Sequence, residues 1–351
     1  MANPMGLHIN AWTDAARQTV RRSPPSILKC LNTAVDADEI RRWRDARPDG
    51  ILVYRQHFAD DRLDNGQERV RALLHDVEPI RQWVSVAETP WNECYQTGDD
   101  LKRYAEATWF ATAQMQKAGL KVAVGHFSVG WPQLAEWPLF YPGLEYANYL
   151  SLHEYSAPTL MEQATWRVLR YRRAWEAIAP EYRKPIILTE FGIDWGVVDG
   201  VLEGWRARGG KPASQYVEEL RWAATEMARD DYLVGATIYC AGTNDPQWES
   251  FNVAGDAEVE RLLQETIPGK EDQSTVTEFD RWAADVFKRA GVPYNPNAAL
   301  VRYWLDSARR GQYLGRPEGP EHPSEQGVPM QEFSSCVLFY RDNQVAEGLP
   351  F

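Results

Sequence analysis

Short apolar runs alternate with longer segments of helical periodicity along most of this chain, and the alternation restricts the possible folds. Strands that alternate with helices indicate βαβ units joined into a parallel sheet. Eight such units favour closure into a (β/α)8 TIM barrel over an open doubly wound sheet. The eight runs cover residues 6–10, 27–31, 50–55, 82–87, 120–125, 148–153, 185–190 and 233–239. The helical segments include residues 36–46, 66–77, 99–116, 160–177 and 212–228.

A polar stretch at residues 268–275 separates these units from the rest of the chain. A barrel of about 250 residues leaves an additional piece in a chain of 351 residues. We therefore expect a catalytic barrel over residues 1–275 and a small helical and irregular appendage over residues 276–351 that packs on it. The appendage has helical periodicity at 276–290 and 297–309, a Gly/Pro-rich segment at 311–330 and a strand-like run at 334–340.

The appendage contains the short sequence Leu314-Gly315-Arg316-Pro317. This sequence is similar to L-G-x-P modules that are appended to cell-wall-associated bacterial proteins. The similarity covers only a small part of the chain, so we interpret the appendage as a structural extension of the barrel.

Charge and hydropathy exclude several classes of partner. The net charge is −12, and a field of that sign repels phosphate backbones, so we expect no nucleic acid partner. No apolar run approaches the roughly 20 residues of a membrane span, so we expect no membrane partner. Residues 1–10 lack a secretion signal, which indicates a cytoplasmic protein or a mature or phage-borne extracellular one.

The cysteines and glycines give no sign of a cofactor. Cys30, Cys94, Cys240 and Cys336 are scattered without a C-x-x-C pair, so we expect free thiols and neither a zinc nor a redox site. No G-x-G-x-x-G follows the first predicted strand, which argues against a dinucleotide fold.

Two glutamates follow predicted strands that lie opposite each other in such a barrel. Reactive groups of these barrels lie at the carboxyl ends of the strands. Glu93 follows the fourth run and Glu190 ends the seventh. Glycoside cleavage needs such a pair, since one carboxyl protonates the leaving oxygen and the other attacks the anomeric carbon or activates water. Glu88 also lies near the end of the fourth run and is the alternative to Glu93.

Polar residues at other strand ends are candidates to support this pair. Arg55 ends the third run and would favour the charged form of Glu190. Asn92 could bond the 2-hydroxyl of the sugar, an interaction that strengthens in the transition state. His153 and Tyr155 end the sixth run, and we expect both to converge on Glu190 or the adjacent sugar position.

Aromatic residues are abundant, with 15 tryptophans and 16 tyrosines. Flat rings suit the apolar faces of sugars, and their N–H and O–H groups can bond hydroxyls, although most buried aromatic side chains only contribute to packing. The aromatic candidates for substrate binding are Trp91, Trp195, Tyr239 and Trp248.

Four of these motifs occur together in a known group of enzymes. The Asn92-Glu93 pair, the His153-Glu154-Tyr155 run, the Thr189-Glu190-Phe191-Gly192 run and Arg55 occur in order, each at a predicted strand end. In this respect residues 6–255 resemble the clan of retaining (β/α)8 glycosidases with catalytic glutamates after strands four and seven. The resemblance implies that Glu93 is the acid/base and Glu190 the nucleophile, and that the substrate is a β-linked glycoside or glycan.

The sequence departs from this clan at the end of the eighth strand. The clan usually has a tryptophan there as the floor of the sugar site, whereas this chain has Tyr239, and its nearest tryptophan is Trp248. Two other functions remain alternatives. One is a non-catalytic glycan-binding barrel. The other is a metal-dependent hydrolase that uses His8, His57 and His126, although no H-E-x-x-H pattern supports it.

Overall fold

The computed structural model divides the chain into two compact units, Met1–Lys270 and Glu271–Phe351. It describes residues 3–60, 62–161, 166–267, 283, 286–292, 299–309, 314, 317–318, 322–323, 329–333, 336–341 and 344–348.

The first unit is a closed barrel of eight parallel strands in sequential order, which confirms the predicted (β/α)8 fold. The strands are β1 (Met5–Ile9), β2 (Ile27–Leu31), β3 (Ile51–Arg55), β4 (Val86–Glu88), β5 (Val122–Phe127), β6 (Tyr149–Ser156), β7 (Ile186–Ile193) and β8 (Leu233–Ala241). Gly242 follows β8 with a φ of +72°, and a Cβ there would lie 2.1 Å from the carbonyl oxygen of Ala11. Glycine is therefore required where β8 closes on the loop after β1.

Helices alternate with these strands, and side chains define where several of them begin. Thr13 Oγ1 accepts a hydrogen bond from the Ala16 amide, and Asp36 accepts one from the Glu39 amide, so each caps the following helix. The helices of this unit are α1 (Asp14–Arg22), α2 (Ala37–Ala46), α3 (Gly66–Asp76), α4 (Gly98–Lys117), α5 (Trp137–Leu144), α6 (Tyr171–Ala177), α7 (Gly196–Asp199), α8 (Ala213–Met227) and α9 (Ala257–Gln264).

An apolar layer lies directly below a charged one inside the barrel. The apolar layer consists of Ile27, Val53, Val86, Ala123 and Ile187. Side chains alternate faces along a strand, so Lys29, Arg55 and Glu88, each two residues beyond a member of the layer, share its face. Lys29 on β2 contacts Glu88 on β4, which is not a neighbouring strand, so these side chains meet across the barrel interior.

Two predicted boundaries were wrong. The fourth strand was expected over residues 82–87, but a 3-10 helix at Glu78–Trp83, with Pro79 in its first turn, delays β4 until Val86. The helix expected over residues 160–177 begins only at Tyr171. Leu169 has a φ of +63°, which an α-helix cannot contain, so the helix does not extend back through this residue; residues 162–165 lie outside the described residues.

The second unit has a helix, a sheet and an apolar core of its own. The elements are α10 (Ala299–Arg309), β9 (His322–Pro323), β10 (Pro329–Phe333), β11 (Cys336–Arg341) and β12 (Gln344–Gly348). Its strands form one antiparallel sheet, in which β11 corresponds to the predicted strand-like run. Phe287, Trp304 and Phe333 lie in its core. Most of the predicted helix 276–290 and parts of the L-G-R-P sequence lie outside the described residues.

None of the helices in the described part of the chain has the length and apolar character that would allow it to cross a membrane.

Candidate active site

A cavity of about 830 Å³ opens at the carboxyl ends of the barrel strands. Eight of the predicted site residues line it, namely Arg55, Trp91, Asn92, Glu93, Tyr155, Glu190, Tyr239 and Trp248. His153 is buried and contacts both glutamates. Trp195 lies outside the cavity lining and packs under the guanidinium of Arg208, 4.3 Å away.

The two glutamates face each other around the imidazole of His153. His153 Nδ1 lies 2.6 Å from Glu93 Oε1 and 3.6 Å from Glu190 Oε2. A carboxylate oxygen of Glu93 lies within 4.8 Å of one of Glu190. Glu190 is 7% exposed, whereas the side chain of Glu93 is 35% exposed toward the cavity. One carboxyl group is therefore held in a buried polar setting and the other can reach solvent and a leaving group.

Three side chains hold the carboxylate of Glu190. Arg55 Nη1 donates to Oε1 at 2.8 Å, and the Tyr155 hydroxyl donates to Oε2 at 2.8 Å. Lys29 Nζ donates to Oε1 from 3.4 Å. Burial by itself would raise the pKa of Glu190, but the nearby charges, with His153 first and then Lys29 and Arg55, hold the pKa well below its usual range. Glu190 is therefore ionised at neutral pH, as a nucleophile requires.

The loop after β4 brings Glu93 to the cavity through a strained turn. Glu93 has a φ of +51°, a left-handed conformation that is uncommon outside glycine. Its amide donates to the carbonyl of His126 at 3.0 Å, which holds the turn against β5. Asn92 accepts a hydrogen bond from Arg55 Nη1, so the ends of β3 and β4 are tied together beside Glu190.

Glu88, the alternative to Glu93, lies below the cavity. It is fully buried, and its carboxylate meets Lys29 Nζ at 3.0 Å, His126 Nδ1 at 3.1 Å and Ser151 Oγ at 2.9 Å. Lys29 stands between Glu88 and Glu190. The geometry therefore favours Glu93 over Glu88 as the group that can reach a substrate.

Aromatic rings form one wall of the cavity around Tyr239. Its ring meets those of Tyr155 and Trp248 edge-on, with centroids 6.3 and 5.5 Å away. Tyr239 therefore occupies the strand-eight position where the clan has a tryptophan, and Trp248 lies beside it. Trp91 touches the cavity but is 1% exposed, and its indole N–H donates to the carbonyl of Arg62, so it contributes chiefly to packing.

The three histidines of the metal-dependent alternative do not converge. His8 Nδ1 lies 3.9 Å from Glu190, His126 contacts Glu88, and His57 is exposed. Among the residues that the structure describes, the group with three converging ligand atoms is Glu93, His153 and Glu190.

Sequence reasoning missed several residues of the site. Lys29 is a charged residue inside the apolar run ILKCL, and that anomaly was a usable signal. Asp194 and Trp166 also line the cavity. Asp194 directly follows β7, whereas Trp166 lies inside a segment that was expected to be helical, so only the position of Asp194 could have been noticed.

Comparison with known proteins gives only distant structural likenesses. No family model matches the sequence, and no curated protein matches it. One similar solved structure is a GH128 (subgroup I) endo-β-1,3-glucanase from Amycolatopsis mediterranei in complex with laminaritriose. Its sequence is 12% identical, the match covers 75% of this chain and 98% of the other, and the TM-score is 0.48.

Two further solved structures have a similar degree of likeness. A Cellulomonas fimi endo-β-1,4-mannanase double mutant is 17% identical, with 74% of this chain and 70% of the other covered and a TM-score of 0.47. A GH2 β-galacturonidase from Eisenbergiella tayi is 12% identical, with 68% and 43% covered and a TM-score of 0.45. At such identities and TM-scores, these likenesses do not indicate the substrate of this chain.

Proposed function

We propose that this chain is a retaining glycosidase that cleaves β-linked glycosides or glycans, with Glu190 as nucleophile and Glu93 as acid/base. The separation of the two carboxylates, within 4.8 Å between oxygens, carries the proposal. Retaining enzymes hold their two carboxyl groups about 5–5.5 Å apart, whereas inverting enzymes leave about 6.5–9.5 Å for a water molecule. The observed separation lies below the range of inverting enzymes, which supports direct attack by Glu190.

In the first step, an oxygen of Glu190 attacks the anomeric carbon as the bond from that carbon to the leaving oxygen breaks. The carboxyl group of Glu93 transfers its proton to the departing oxygen. A covalent glycosyl-enzyme and a free alcohol result. Arg55 and Tyr155 each donate to Glu190, so its carboxylate is oriented before the substrate arrives.

In the second step, the Glu93 carboxylate takes a proton from water as the water oxygen attacks the anomeric carbon. The bond to Glu190 breaks, and its carboxylate is regenerated. Two displacements at one carbon restore the original anomeric configuration. The exposure of the Glu93 side chain gives water access to the base that this step needs.

A metal-dependent hydrolase is the second candidate, because Glu93, His153 and Glu190 bring three ligand atoms together. Glu190 already has the Arg55 guanidinium at 2.8 Å and the Lys29 ammonium at 3.4 Å. A divalent cation at this carboxylate would be repelled by both charges. The charge arrangement therefore favours the glycosidase. A non-catalytic glycan-binding barrel would not require two carboxylates at this spacing.

The two glutamates should respond differently to substitution by alanine. In Glu190→Ala the nucleophile is lost, so we expect kcat on every substrate to fall by several orders of magnitude. In Glu93→Ala an aryl glycoside with a good leaving group should still form the glycosyl-enzyme, because that step needs no proton, whereas a natural glycan should not. Added azide should release the glycosyl group as a β-glycosyl azide, which NMR of the product would identify.

Glu106→Ala is a suitable control, since Glu106 is an exposed glutamate on α4 outside the cavity lining. Its kinetics should match those of the unaltered protein. Equal losses in both active-site variants on aryl glycosides and glycans, without azide rescue, would contradict the assigned roles. Activity that disappears with chelators and returns with zinc would favour the metal-dependent alternative.

A further inference from the structure

A fully buried ammonium group lies under the nucleophile. Lys29 is the third residue of β2, is 0% exposed, and places Nζ 3.4 Å from Glu190 Oε1 and 3.0 Å from Glu88 Oε2. Lysine is almost never fully buried unless it is paired. A buried ion pair is weak evidence for stability, because well-packed apolar side chains of similar size often stabilise as much or more. A role in folding alone therefore does not account for Lys29.

We propose that Lys29 is a positioning residue of the active site, which Glu88 anchors so that its ammonium keeps the Glu190 carboxylate ionised and in place. This inference rests on the proposed function, because it takes Glu190 as the nucleophile. It also assigns a role to Glu88, which is buried and does not line the cavity.

The anchor of Lys29 is well defined. Glu88 Oε1 accepts from Ser151 Oγ at 2.9 Å and faces His126 Nδ1 at 3.1 Å, which leaves Oε2 for Lys29. Ser151 Oγ also lies 2.7 Å from Thr189 Oγ1 on β7. Glu88 is thus connected to β2, β5 and β6, and through Ser151 to the strand that carries the nucleophile. Movement of Lys29 away from Glu88 would leave the buried Oε2 of Glu88 without this cation.

Lys29 lies among several charged groups. Two cations, Lys29 and Arg55, face two carboxylates, Glu88 and Glu190. Burial lowers the pKa of His8, and the nearby Lys29 charge lowers it further, so that imidazole is neutral at neutral pH. The titratable or charged groups around Glu190 are His8, Lys29, Arg55, Glu88, Glu93, His153, Tyr155, Asp194 and Tyr239. Without Lys29, Glu88 and Glu190 would keep the Arg55 guanidinium and the imidazoles of His126 and His153 as partners, but would lose the ammonium that contacts both of them.

Two substitutions should shift the titration of Glu190 in opposite directions. Lys29→Met keeps an unbranched side chain that is one atom shorter and removes its charge, so Glu190 should lose its proton only at a pH higher by about 1–3 units. Glu88→Gln removes a neighbouring negative charge but keeps a side-chain oxygen that can hold Lys29 in place, so Glu190 should lose its proton at lower pH. The double variant Lys29→Met/Glu88→Gln should lie between the two, because a cation and an anion are removed together.

The test is a carbon-13 NMR titration of the side-chain carboxyl groups in the full chain labelled at glutamate, with the Glu190 signal identified by its loss in Glu190→Gln. This measurement needs no turnover, so it remains valid if the proposed function fails. The acidic limb of kcat/KM on an aryl glycoside should move in parallel. Lys121→Met is the control, since Lys121 is exposed, and it should change neither curve.

Failure of the inference and failure of the proposed function give different results. If Glu190→Ala abolishes turnover but Lys29→Met leaves the Glu190 titration unchanged, the role of Lys29 is overturned and the function stands. If Glu190→Ala keeps full turnover while the titration shifts as expected, the function is overturned instead. If Lys29→Met does not fold, Glu88→Gln decides, and a Glu190 titration that stays in place or moves to higher pH would contradict the proposal.

Discussion

At the residue scale, Asp194 is a third carboxyl group in the cavity whose ionisation should affect the stability of the folded chain. It directly follows β7 and accepts a hydrogen bond from the Gly196 amide at 2.7 Å. Burial raises the pKa of Asp194 to about 6, although backbone N–H groups of Gly196 and Glu203 oppose the shift, and the charges of Glu93 and Glu190 add to it. The folded state therefore holds this proton at pH values where the unfolded chain has released it.

The sign of the resulting pH dependence follows from proton binding. Between about pH 4 and pH 6 the folded chain binds one more proton at Asp194 than the unfolded chain, so this group lowers the free energy of unfolding as the pH rises. Asp194→Asn removes the titration and keeps a side-chain oxygen for the Gly196 amide. We compare the free energy of unfolding of the unaltered protein with that of the variant at each pH. The difference, unaltered protein minus variant, should fall by up to about 3 kcal/mol across this interval and then level off.

Urea denaturation of both proteins at several pH values would measure this difference. A difference that is constant with pH, or that grows as the pH rises, would contradict the assigned direction of the pKa shift.

At the scale of elements, the segment after β6 forms one rim of the cavity. The side chain of Glu154 on β6 holds this segment in place. Its two oxygens accept hydrogen bonds from the amides of Leu169 and Tyr171, at 2.7 and 2.6 Å. Arg170 then donates to the carbonyls of Gly130 and Pro132 on the loop after β5. These contacts hold the turn just beyond Trp166, whose ring is 51% exposed and lines the cavity.

Trp166 should therefore stack against sugar units of a longer glycan rather than act at the reacting bond. In Trp166→Ala we expect KM for an oligosaccharide to rise about fivefold to tenfold, equivalent to roughly 1–1.4 kcal/mol, with kcat unchanged. Kinetics on a small aryl glycoside should not change, because such a substrate does not extend to the rim. Steady-state measurements on both substrates would test this.

Trp109→Ala offers a matched control, because Trp109 is 40% exposed on α4 and lies outside the cavity lining. An equal rise of KM in both tryptophan variants, or a loss of kcat on the aryl glycoside in Trp166→Ala alone, would argue against a stacking role.

At the scale of the whole molecule, the residues of the cavity all belong to the first unit. The highest-numbered residue that lines it is Phe251, and the first unit extends to Lys270. The second unit has an apolar core of its own, to which Phe287, Trp304 and Phe333 belong. We expect a chain that ends at Lys270 to keep kcat and KM on an aryl glycoside within about twofold in its folded fraction, since no lining residue is removed.

The sequence predicts that the appendage packs on the barrel, and a lower melting temperature or solubility of the truncated chain would support that prediction. Circular dichroism and active-site titration would establish the folded fraction. A shortened chain that has the full barrel spectrum but no turnover would mean that the second unit takes part in the chemistry.

The sequence alone determined the architecture of the barrel and the region of the candidate active site. Strand and helix periodicity are local properties, and their alternation predicts a parallel sheet covered by helices, while the number of eight units favours a barrel. In such a barrel the carboxyl ends of all strands meet, so polar residues there, such as Glu190, Arg55 and Tyr155, were predicted to converge. The structure brings these three together at the carboxylate of Glu190.

Only the tertiary structure favoured Glu93 over Glu88 and revealed Lys29. The choice depends on where β4 ends and on the left-handed turn at Glu93, and neither follows from apolar periodicity. The pairing of Lys29 with Glu88 and Glu190 joins residues on β2, β4 and β7, far apart in sequence. Their mutual effect on ionisation depends on distances across a buried interior from which water is excluded, and such distances exist only once the barrel has closed.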